Sequence, residues 1–203
     1  MQERVARATL GRLPDYLQYV RSIDTETISA TRIANALGLG EVQVRKDIAS
    51  VCGSGRPKIG YETSALIKDL ENVLGVHNCT GAVIIGAGKL GLALLGYRGF
   101  EEYGIKIMAA FDKEPDKAGS RPDGTQVYSM DSFKEFCTSN DIHLAVLTVP
   151  ASAAQKACDI IIDAGITAIL NFAPCKLKVP ENVTVRQENI ALSLAHLNVG
   201  RDR

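Results

Sequence analysis

Long apolar runs are missing from this 203-residue sequence, even though 46 % of its residues are hydrophobic. Its longest apolar stretches fall well short of the ~20 residues that a membrane-spanning helix needs, so we expect no such helix. The N-terminal stretch "MQERVARATLGRL" lacks the apolar segment and the small-residue cleavage site of a secretory signal, which makes the cytoplasm the expected location. The chain is too long for one small hydrophobic core, and two modest domains are therefore expected.

Cysteine and histidine are too few and too scattered for a disulfide framework or a zinc site. The cysteines are odd in number and form no CxxC pair: Cys52, Cys79, Cys137, Cys158 and Cys175. We expect them to be buried, reduced thiols, with a thiol switch as the alternative. The histidines have no HxxxH spacing and belong to no nucleophile constellation: His77, His143 and His196. The sequence therefore predicts no metal site and no catalytic residue.

Net charge is also absent, since 23 basic side chains balance 23 acidic ones, but the charge is unevenly distributed. Residues 1–61 carry nine Lys or Arg against six Asp or Glu, whereas residues 62–203 carry 14 against 17. A basic N-terminal part beside an acidic remainder favours a nucleic-acid reader attached to another module, although a solvated surface gives similar counts.

The N-terminal part has the pattern of a winged helix-turn-helix domain. Apolar residues recur at helical spacing over residues 10–23, and Pro14 falls early enough for a first turn. Ser29 and Gly38 have the chemistry to begin and end a second helix. A tight glycine turn then leads into a third helix, "EVQVRKDIASV", and two short helices joined in this way are typical of the helix-turn-helix.

A wing and a fourth helix complete this pattern. The glycine-rich stretch "CGSGRPKIGY" predicts a hairpin whose basic tip, Arg56 and Lys58, could enter a minor groove. The stretch "SALIKDLENVLG" predicts the fourth helix, and residues 75–80 are the predicted linker. We therefore assign residues 1–78 to a DNA-binding domain.

The third helix has the periodicity of a reading helix, with one apolar and one cationic face. At roughly 100° per residue, the apolar face expected in the core consists of Val44, Ile48 and Val51. The exposed face consists of Lys46, Ala49 and Ser50, flanked by Gln43 and Arg45. Such a face suits a major groove, because Gln can address adenine while Arg and Lys address guanine or phosphates. A solvated polar face is the alternative. The predicted DNA contacts are Arg12, Ser29, Thr31, Gln43, Arg45, Lys46, Ser50, Arg56 and Lys58.

After the linker the pattern changes to alternating strands and helices. Four apolar stretches are predicted strands, "AVIIG", "IKIMAAFD", "HLAVLTVP" and "AILNFAP", and helical stretches such as "KLGLALLGY" and "SAAQKACDIIIDAG" separate them. This alternation predicts an α/β fold with a doubly wound parallel sheet, the Rossmann fold. A last strand, "VTVRQ", leads into an amphipathic helix, "ENIALSLAHLNV". We assign residues 79–187 to the Rossmann domain and residues 188–203 to the C-terminal helix.

Three glycines after the first of these strands form a dinucleotide fingerprint. Gly86, Gly88 and Gly91 have GxGxxG spacing, which allows a tight turn, a close approach to a pyrophosphate and the packing of a helix on the sheet. Asp112 ends the second strand, where a carboxylate can accept the hydroxyls of an adenine ribose. Such an acid favours NAD over NADP, and Lys113 beside it weakens that preference. Glycines that only shape a turn are the alternative.

The ends of the later strands are expected to line the nicotinamide half of this site. No general acid or base of a dehydrogenase accompanies them, which favours a sensor over an enzyme. The predicted cofactor-binding residues are Gly86, Ala87, Gly88, Lys89, Leu90, Gly91, Tyr97, Asp112, Lys113, Thr148, Val149, Pro150, Asn171, Phe172 and Ala173.

The chain as a whole resembles the Rex family of redox-sensing transcriptional repressors. The motifs that carry the resemblance are "RLPDYLQY", "QVRKD", the "GY" that ends the wing, "GAGKLGLALLGYRGF", "AAFD", "LTVPASAAQ" and "GITAILNFAPCKLKVP". The resemblance implies a homodimer that binds an inverted-repeat operator when NAD⁺ dominates and releases it when NADH accumulates. It also implies that the C-terminal helix is exchanged between protomers and that Tyr97 lies near the nicotinamide.

The sequence departs from the family pattern at a few positions. The wing is one residue shorter, Pro57 stands where a basic residue is common, and Gly40 replaces a Ser or Thr cap. Family members tend to carry Arg and Asp at the positions of Gln18 and Asn189, a pair thought to lock one state across the dimer. The alternative function is a Rossmann-domain enzyme, or a CoA-binding protein, whose N-terminal domain mediates assembly.

Overall fold

The computed structural model describes residues 5–57, 59–114, 119–120 and 126–199. The chain divides into two compact units, Met1–Asn78 and Cys79–Arg203. No helix among the described residues is long and apolar enough to cross a membrane.

The N-terminal unit is a helical domain closed by a short antiparallel ladder. Its elements are α1 (Arg7–Leu10), α2 (Leu13–Arg21), β1 (Thr27–Ile28), α3 (Ala30–Leu37), α4 (Glu41–Cys52), β2 (Tyr61–Glu62) and α5 (Thr63–Leu74). The helix expected over residues 10–23 is α2, which begins later, at Leu13, with proline in its first turn. The short α1 precedes it and was not predicted, and the chain turns at residues 11–12 between the two helices. The predicted wing is a tight turn in which Arg56 and Gly60 exchange backbone hydrogen bonds of 2.8 and 2.9 Å.

The caps of α3 fix the geometry of the helix-turn-helix. The Ser29 hydroxyl accepts a hydrogen bond from the backbone N–H of Arg32 at 3.1 Å, which satisfies one free donor of the first turn. Gly38 ends the helix in the left-handed conformation, with φ of 64°, and lets the chain turn into α4. Both caps were predicted from the sequence, and both are confirmed.

One face of the reading helix α4 packs into the core of this unit. Val44 and Ile48 are fully buried, as expected, but Val51 is only half-buried. The third buried residue of the helix is Asp47, a carboxylate that the apolar periodicity did not indicate. The helix is therefore held by a polar interaction as well as by apolar packing.

The C-terminal unit is a sheet with helices on both faces, followed by a terminal helix. Its strands are β3 (Thr80–Ile85), β4 (Ile105–Asp112), β5 (Gly119–Ser120), β6 (Gln126–Ser129), β7 (Ile142–Leu147), β8 (Ala168–Asn171) and β9 (Thr184–Gln187). Its α-helices are α6 (Lys89–Leu95), α7 (Phe133–Ser139), α8 (Ala151–Asp163) and α9 (Ile190–Val199), and Arg98–Tyr103 and Met130–Ser132 are 3₁₀ helices.

The described strands follow the order β5-β6-β4-β3-β7-β8-β9, and all neighbours are parallel except the β5-β6 pair. Without β5, this is the 3-2-1-4-5-6 order of a doubly wound dinucleotide-binding sheet, which confirms the predicted fold. Strand β6 was not predicted, because its four residues form too short a pattern and include only two apolar ones, Val127 and Tyr128.

Alternate residues of β3 pack into separate cores on the two faces of the sheet. Val83 and Ile85 join one core, which also contains Phe111 and Phe133, whereas Ile84 joins the other. The strand is buried on both faces and reads as a continuous apolar run for that reason. Because β3 and β7 are neighbours whose connections leave in opposite directions, their carboxyl ends open a crevice between them.

Candidate dinucleotide site and nucleic-acid interface

The glycine loop after β3 is held by hydrogen bonds to both of its neighbours, strand β4 and the residue that follows β7. Gly86 has φ of 104°, which favours glycine, and its N–H donates to Phe111 O at 2.7 Å. The Thr148 hydroxyl lies 3.0 Å from Ile85 O and 2.8 Å from Gly86 O and donates to them. The loop is thus fixed by its neighbours on both sides.

Gly91 and Gly88 meet very different surroundings. A Cβ at Gly91 would overlap the carbonyl oxygen of Gly86 and lie 2.9 Å from Thr148 Oγ1, so only glycine lets α6 approach the loop this closely. A Cβ at Gly88 would meet nothing within 4 Å, and the φ of Gly88, −74°, is open to any residue. The fold therefore does not require glycine at position 88, and the absence of a side chain there leaves room for a ligand against the backbone.

Asp112 is buried at the tip of β4, with 7 % of its surface exposed. Its Oδ2 accepts the N–H of Ala87 at 2.7 Å, and its Oδ1 accepts the N–H of Glu114 at 3.0 Å. These bonds orient the carboxylate and connect it to the glycine loop. A carboxylate accepts hydrogen bonds and cannot donate them, which is the chemistry that the hydroxyls of an adenine ribose require.

A cavity of about 710 Å³ lies in the C-terminal unit, beside the glycine loop and Asp112. We call it the crevice cavity. Seven predicted cofactor-binding residues line it: Gly86, Gly88, Asp112, Lys113, Thr148, Val149 and Pro150. The residues that sequence reasoning missed are Ile85, Phe111, Glu114, Met130, Ser152, Ala153, Lys156, Ala157 and Ile160. Of those on α8, Ser152 and Ala153 lie within the motif "LTVPASAAQ", but only Thr148, Val149 and Pro150 of that motif were predicted to bind the cofactor. Lys156, Ala157 and Ile160 lie beyond the motif.

The remaining predicted cofactor residues are not among those that line the crevice cavity. Ala87 and Gly91 are buried, and Lys89 and Leu90 are exposed in the first turn of α6. The Tyr97 side chain is 59 % exposed and contacts Phe100 edge-on, at 5.2 Å between ring centroids.

Asn171 is fully buried, and its amide holds the loop after β8. Its Oδ1 accepts the N–H of Ala173 at 2.9 Å, and its Nδ2 donates to Gln187 Oε1 at 2.7 Å and Cys175 O at 3.0 Å. Gln187 Nε2 donates in turn to Ala173 O at 2.9 Å. The amide therefore positions half-buried Phe172 and buried Ala173 and is itself engaged within the protein.

In the N-terminal unit, cavities flank the reading helix α4 on two sides. The wing-side cavity, of about 590 Å³, lies between α4 and the turn and contains the predicted contacts Ser29, Thr31, Arg45, Lys46 and Arg56. A depression of about 410 Å³ towards α1 contains the predicted contacts Gln43, Lys46 and Ser50. Lys46 lines both, which places it at the exposed centre of the helix. Lys58 lies outside the described residues.

Arg45 already has a partner on its own helix. It forms an ion pair with Glu41, one turn earlier, and both side chains are largely exposed. Exposed pairs of this kind stabilise a protein little, at most about 1 kcal/mol, so the guanidinium can exchange Glu41 for another anion at small cost.

Asp47 is the centre of a buried hydrogen-bond cluster beneath α4. Its Oδ1 accepts bonds from Thr9 Oγ1 (2.9 Å), Arg12 Nη2 (2.9 Å) and Gln43 Nε2 (3.0 Å), and its Oδ2 accepts bonds from Arg12 Nε (2.7 Å) and Tyr16 Oη (2.8 Å). Arg12, which the sequence suggested as a DNA contact, thus forms a bidentate ion pair inside the domain.

Burial alone would raise the pKa of Asp47, but the hydrogen bonds from Arg12, Tyr16 and Thr9 lower that pKa to about 2. The Asp47 hydrogen bond is the main cause that raises the pKa of Arg12 further above its ordinary value. Burial, followed by the bond to Asp47, raises the pKa of Tyr16 to about 12. At neutral pH the cluster is therefore an ionised carboxylate held by a cation and neutral donors.

Comparisons with known proteins agree with both units. A family model described as "Putative DNA-binding protein N-terminus" matches residues 4–49, and one described as "CoA binding domain" matches residues 77–175. The redox-sensing transcriptional repressor Rex of Treponema denticola is 40 % identical over 201 residues, which cover 98 % of this chain and 96 % of the relative. The Rex of Bacteroides thetaiotaomicron is 37 % identical and covers 95 % of this chain and 89 % of its own length. This chain belongs to the Rex family of redox-sensing transcriptional repressors.

Solved structures support the same assignment. A crystal structure of the Rex-family repressor RSP in complex with β-NAD⁺ and operator DNA is 31 % identical, with a TM-score of 0.89 over 98 % of this chain and 93 % of that one. RSP in complex with β-NADH has a TM-score of 0.86 at 30 % identity, over 98 % and 94 % of the two chains.

Gln18 and Asn189, the pair at which a departure from the family pattern is expected, have defined surroundings. Gln18 is exposed on α2. Asn189 caps α9: its Oδ1 accepts the N–H of Leu192 at 3.0 Å, and its backbone carbonyl accepts the N–H and the hydroxyl of Ser193. Asn189 thereby fixes where the C-terminal helix begins.

None of the cysteines and histidines is among the residues that line the crevice cavity. Burial raises the pKa values of the Cys52 and Cys137 thiols to about 11, and it raises the pKa of Cys158 as well, which favours the inert thiol form. Contrary to the expectation of buried cysteines, Cys79 is exposed and Cys52 and Cys175 are only half-buried. Within the described part of the chain, no group of three or more His, Cys, Asp or Glu side chains could hold a metal.

Proposed function

We propose that this chain is a DNA-binding repressor that reads the NADH/NAD⁺ ratio, binding an inverted-repeat operator with NAD⁺ or without ligand and releasing it with NADH. The proposal rests on the presence of two features in one chain. One is the helix α4, which has an exposed cationic face, and the other is a doubly wound sheet with a ligand-sized crevice where its strand order reverses.

The DNA-binding part of the proposal is supported by the surfaces on both sides of α4. Arg45, Lys46 and Arg56 share the wing-side cavity, while Gln43 and Ser50 lie on the other side. Cations there can neutralise phosphates, and the amide and hydroxyl can address base edges. We expect Arg45 and Lys46 to contribute most of the affinity.

The cofactor part is supported by Gly88 and Asp112, which suit an NAD molecule. The open space beside Gly88 accommodates a pyrophosphate against the backbone, and the oriented Asp112 carboxylate suits the adenine ribose. Lys113 and Lys156 also line the crevice cavity, so its charge is mixed. The loop carrying Phe172 and Ala173, with Tyr97, is proposed to face the nicotinamide end.

We further propose that the protein is a homodimer through its C-terminal helix and is not an enzyme. Every described side chain of α9 is exposed, including Ile190, Leu192, Leu194 and Leu197 at 58–68 %. A ten-residue helix is marginal alone, and burying these four side chains against a partner would stabilise it by roughly 1.5–3 kcal/mol each. The site is proposed to supply binding and not proton transfer. We place the protein in the cytoplasm, where DNA and dinucleotides are both accessible.

The test is operator binding by the full chain while NADH and NAD⁺ are titrated. An operator is first selected from double-stranded DNA with two randomised half-sites, and its affinity is then measured by fluorescence anisotropy at several salt concentrations. NADH should weaken binding by roughly 5- to 150-fold, the usual range of such couplings, and NAD⁺ should not. An affinity that is indifferent to the ratio would refute redox sensing.

Two controls separate the alternatives. Coenzyme A at the same concentrations should leave DNA binding unchanged, and NADH with carbonyl substrates should show no turnover. Gln18→Ala should retain the NADH response, because a neutral amide bond is generally weaker than a charge-assisted pair. If this variant alone loses the response, Gln18 is part of the switch.

A further inference from the structure

Among the described residues of the predicted DNA-binding face on α4, Gln43 is the one that hydrogen-bonds to the carboxylate of the buried Asp47; Ser50 bonds to its backbone carbonyl. Gln43 Nε2 donates to Asp47 Oδ1 at 3.0 Å, while the side chain itself is exposed. Four other hydrogen bonds, from Thr9, Arg12 and Tyr16, hold the same carboxylate from the N-terminal side. Asp47 is thereby fixed independently of Gln43.

We propose that Asp47 is a positioning residue for base recognition: it fixes the Gln43 amide with its nitrogen inward and its oxygen outward, so that Gln43 selects a base that offers a hydrogen-bond donor. This inference rests on the proposed function, because it assumes that α4 enters a major groove.

The chemistry of the two groups decides the orientation of the amide. An ionised carboxylate is an acceptor only, whereas an amide has a donor end and an acceptor end. If the amide were reversed, its oxygen would face the Asp47 oxygen, and two acceptors would be in contact without a proton. The arrangement with Nε2 inward is therefore the one that Asp47 stabilises. The bidentate ion pair of Asp47 with Arg12 keeps the carboxylate ionised and in place.

A fixed amide discriminates among bases in a way that a free amide does not. With one N–H directed to Asp47, Gln43 can present Oε1 and its second N–H to the groove. Adenine offers the N6 donor beside the N7 acceptor and matches both groups, while cytosine offers the N4 donor alone. Guanine and thymine present acceptors at this edge and face the amide oxygen unfavourably. A free amide could rotate and donate to guanine or thymine, so Asp47 supplies the selectivity.

The surroundings of Gln43 agree with this role. Gln43 lies in the depression towards α1 together with Lys46 and Ser50. Lys46 can contact a phosphate or a guanine there, so the amide would be held against the base edges by a neighbouring cation on the same helix.

The experiment compares the base preferences of full-length variants, selected from double-stranded DNA with two randomised half-sites one helical turn apart. The wild type should select adenine at one position of each half-site, and Gln43→Ala should lose the preference at that position alone. Asp47→Asn should admit guanine or thymine there, reducing discrimination by roughly 5- to 150-fold, the value of one good base contact.

Tyr16→Phe is the matched control, because it removes another partner of Asp47 without touching Gln43. It should lower the melting temperature and keep the adenine preference. If Tyr16→Phe relaxes the same position as Asp47→Asn, the effect is general loosening of the domain, and the proposal is overturned. It is equally overturned if Asp47→Asn keeps a preference that Gln43→Ala loses.

Gln43→Glu keeps the test decisive if Asp47→Asn does not fold, since residue 43 is exposed. Glutamate has no N–H to donate, so it loses the bond to Asp47, is repelled by that carboxylate and presents only acceptors to the groove. The preference should therefore shift from adenine to cytosine, with lower affinity and weaker discrimination. An unchanged preference, or a shift to guanine or thymine, overturns the inference. A wild type that selects no sequence refutes the proposed function itself, whereas selection that ignores every change at Gln43 refutes only the role given to Asp47.

Discussion

The two fingerprint glycines Gly88 and Gly91 allow a matched pair of alanine substitutions with opposite expected effects. In Gly91→Ala the new methyl would overlap Gly86 O and lie 2.9 Å from Thr148 Oγ1, well inside the 3.4–4 Å of ordinary contact. The carbonyl cannot move away easily, because it accepts the Thr148 hydroxyl at 2.8 Å and the Gly86 N–H is bonded to Phe111 O. Helix α6 must shift instead, and overpacking of this kind costs about 3 kcal/mol at the upper end of the usual range.

Gly88→Ala should leave the fold almost unchanged. Its Cβ would meet nothing within 4 Å, and its backbone angles, φ −74° and ψ −174°, are open to alanine. The methyl would stand where the pyrophosphate is proposed to approach the backbone. A ligand displaced by such a clash loses on the order of 1–3 kcal/mol, which corresponds to a roughly 5- to 150-fold weaker affinity for NADH.

Thermal unfolding without ligand and calorimetric titration with NADH measure the two effects separately. Gly91→Ala should lower the melting temperature by roughly 10 °C, and Gly88→Ala should lower it by no more than about 3 °C. NADH affinity should fall in Gly88→Ala. If that variant binds NADH like the wild type, the crevice cavity is not the pyrophosphate site. If Gly91→Ala melts like the wild type, the close approach of α6 to the loop does not constrain the fold.

Three further predictions concern other parts of the chain. The pKa of Asp47 is about 2 in the folded state against an ordinary 3.8, so its ionised form should stabilise the fold by roughly 2 kcal/mol above pH 4. In chemical denaturation, the wild type should therefore have a higher free energy of unfolding than Asp47→Asn, and this difference should shrink as the pH falls through about 2. Asp112→Asn should weaken NADH binding and narrow the preference for NADH over NADPH by about tenfold, since the repulsion of a 2′-phosphate is lost; equal losses for both nucleotides in calorimetry would contradict this. The double variant Leu192→Glu, Leu194→Glu should sediment as a monomer, and a dimer of unchanged stability would show that α9 is not the interface.

Local sequence signals predicted the elements whose cause is local. Ser29 and Gly38 begin and end α3 through their own chemistry, and the glycine spacing together with Asp112 indicated the crevice at the carboxyl end of β3. Strand β6 was missed because it forms through pairing with β4 and has almost no apolar pattern of its own. Asp47 was missed because its partners Thr9, Arg12 and Tyr16 are 31–38 positions away, so that "VRKD" alone suggests a solvated acid.

The positions of Gln43 and Asn171 in the sequence do not determine how their side-chain amides are oriented. The sequence placed one on the reading helix and the other at a strand end beside the nicotinamide half of the site. In each case the distant hydrogen-bond partner decides which end of the amide is engaged: Asp47 for Gln43, and the Ala173 N–H with Gln187 for Asn171. Because the Asn171 amide is engaged on both ends within the loop, its influence on a bound nicotinamide has to pass through the position of Phe172 and Ala173. Gln43 is engaged through its amide nitrogen and keeps its oxygen as an acceptor, which the proposed reading of a base requires, whereas Asn171 can only shape the loop that holds it.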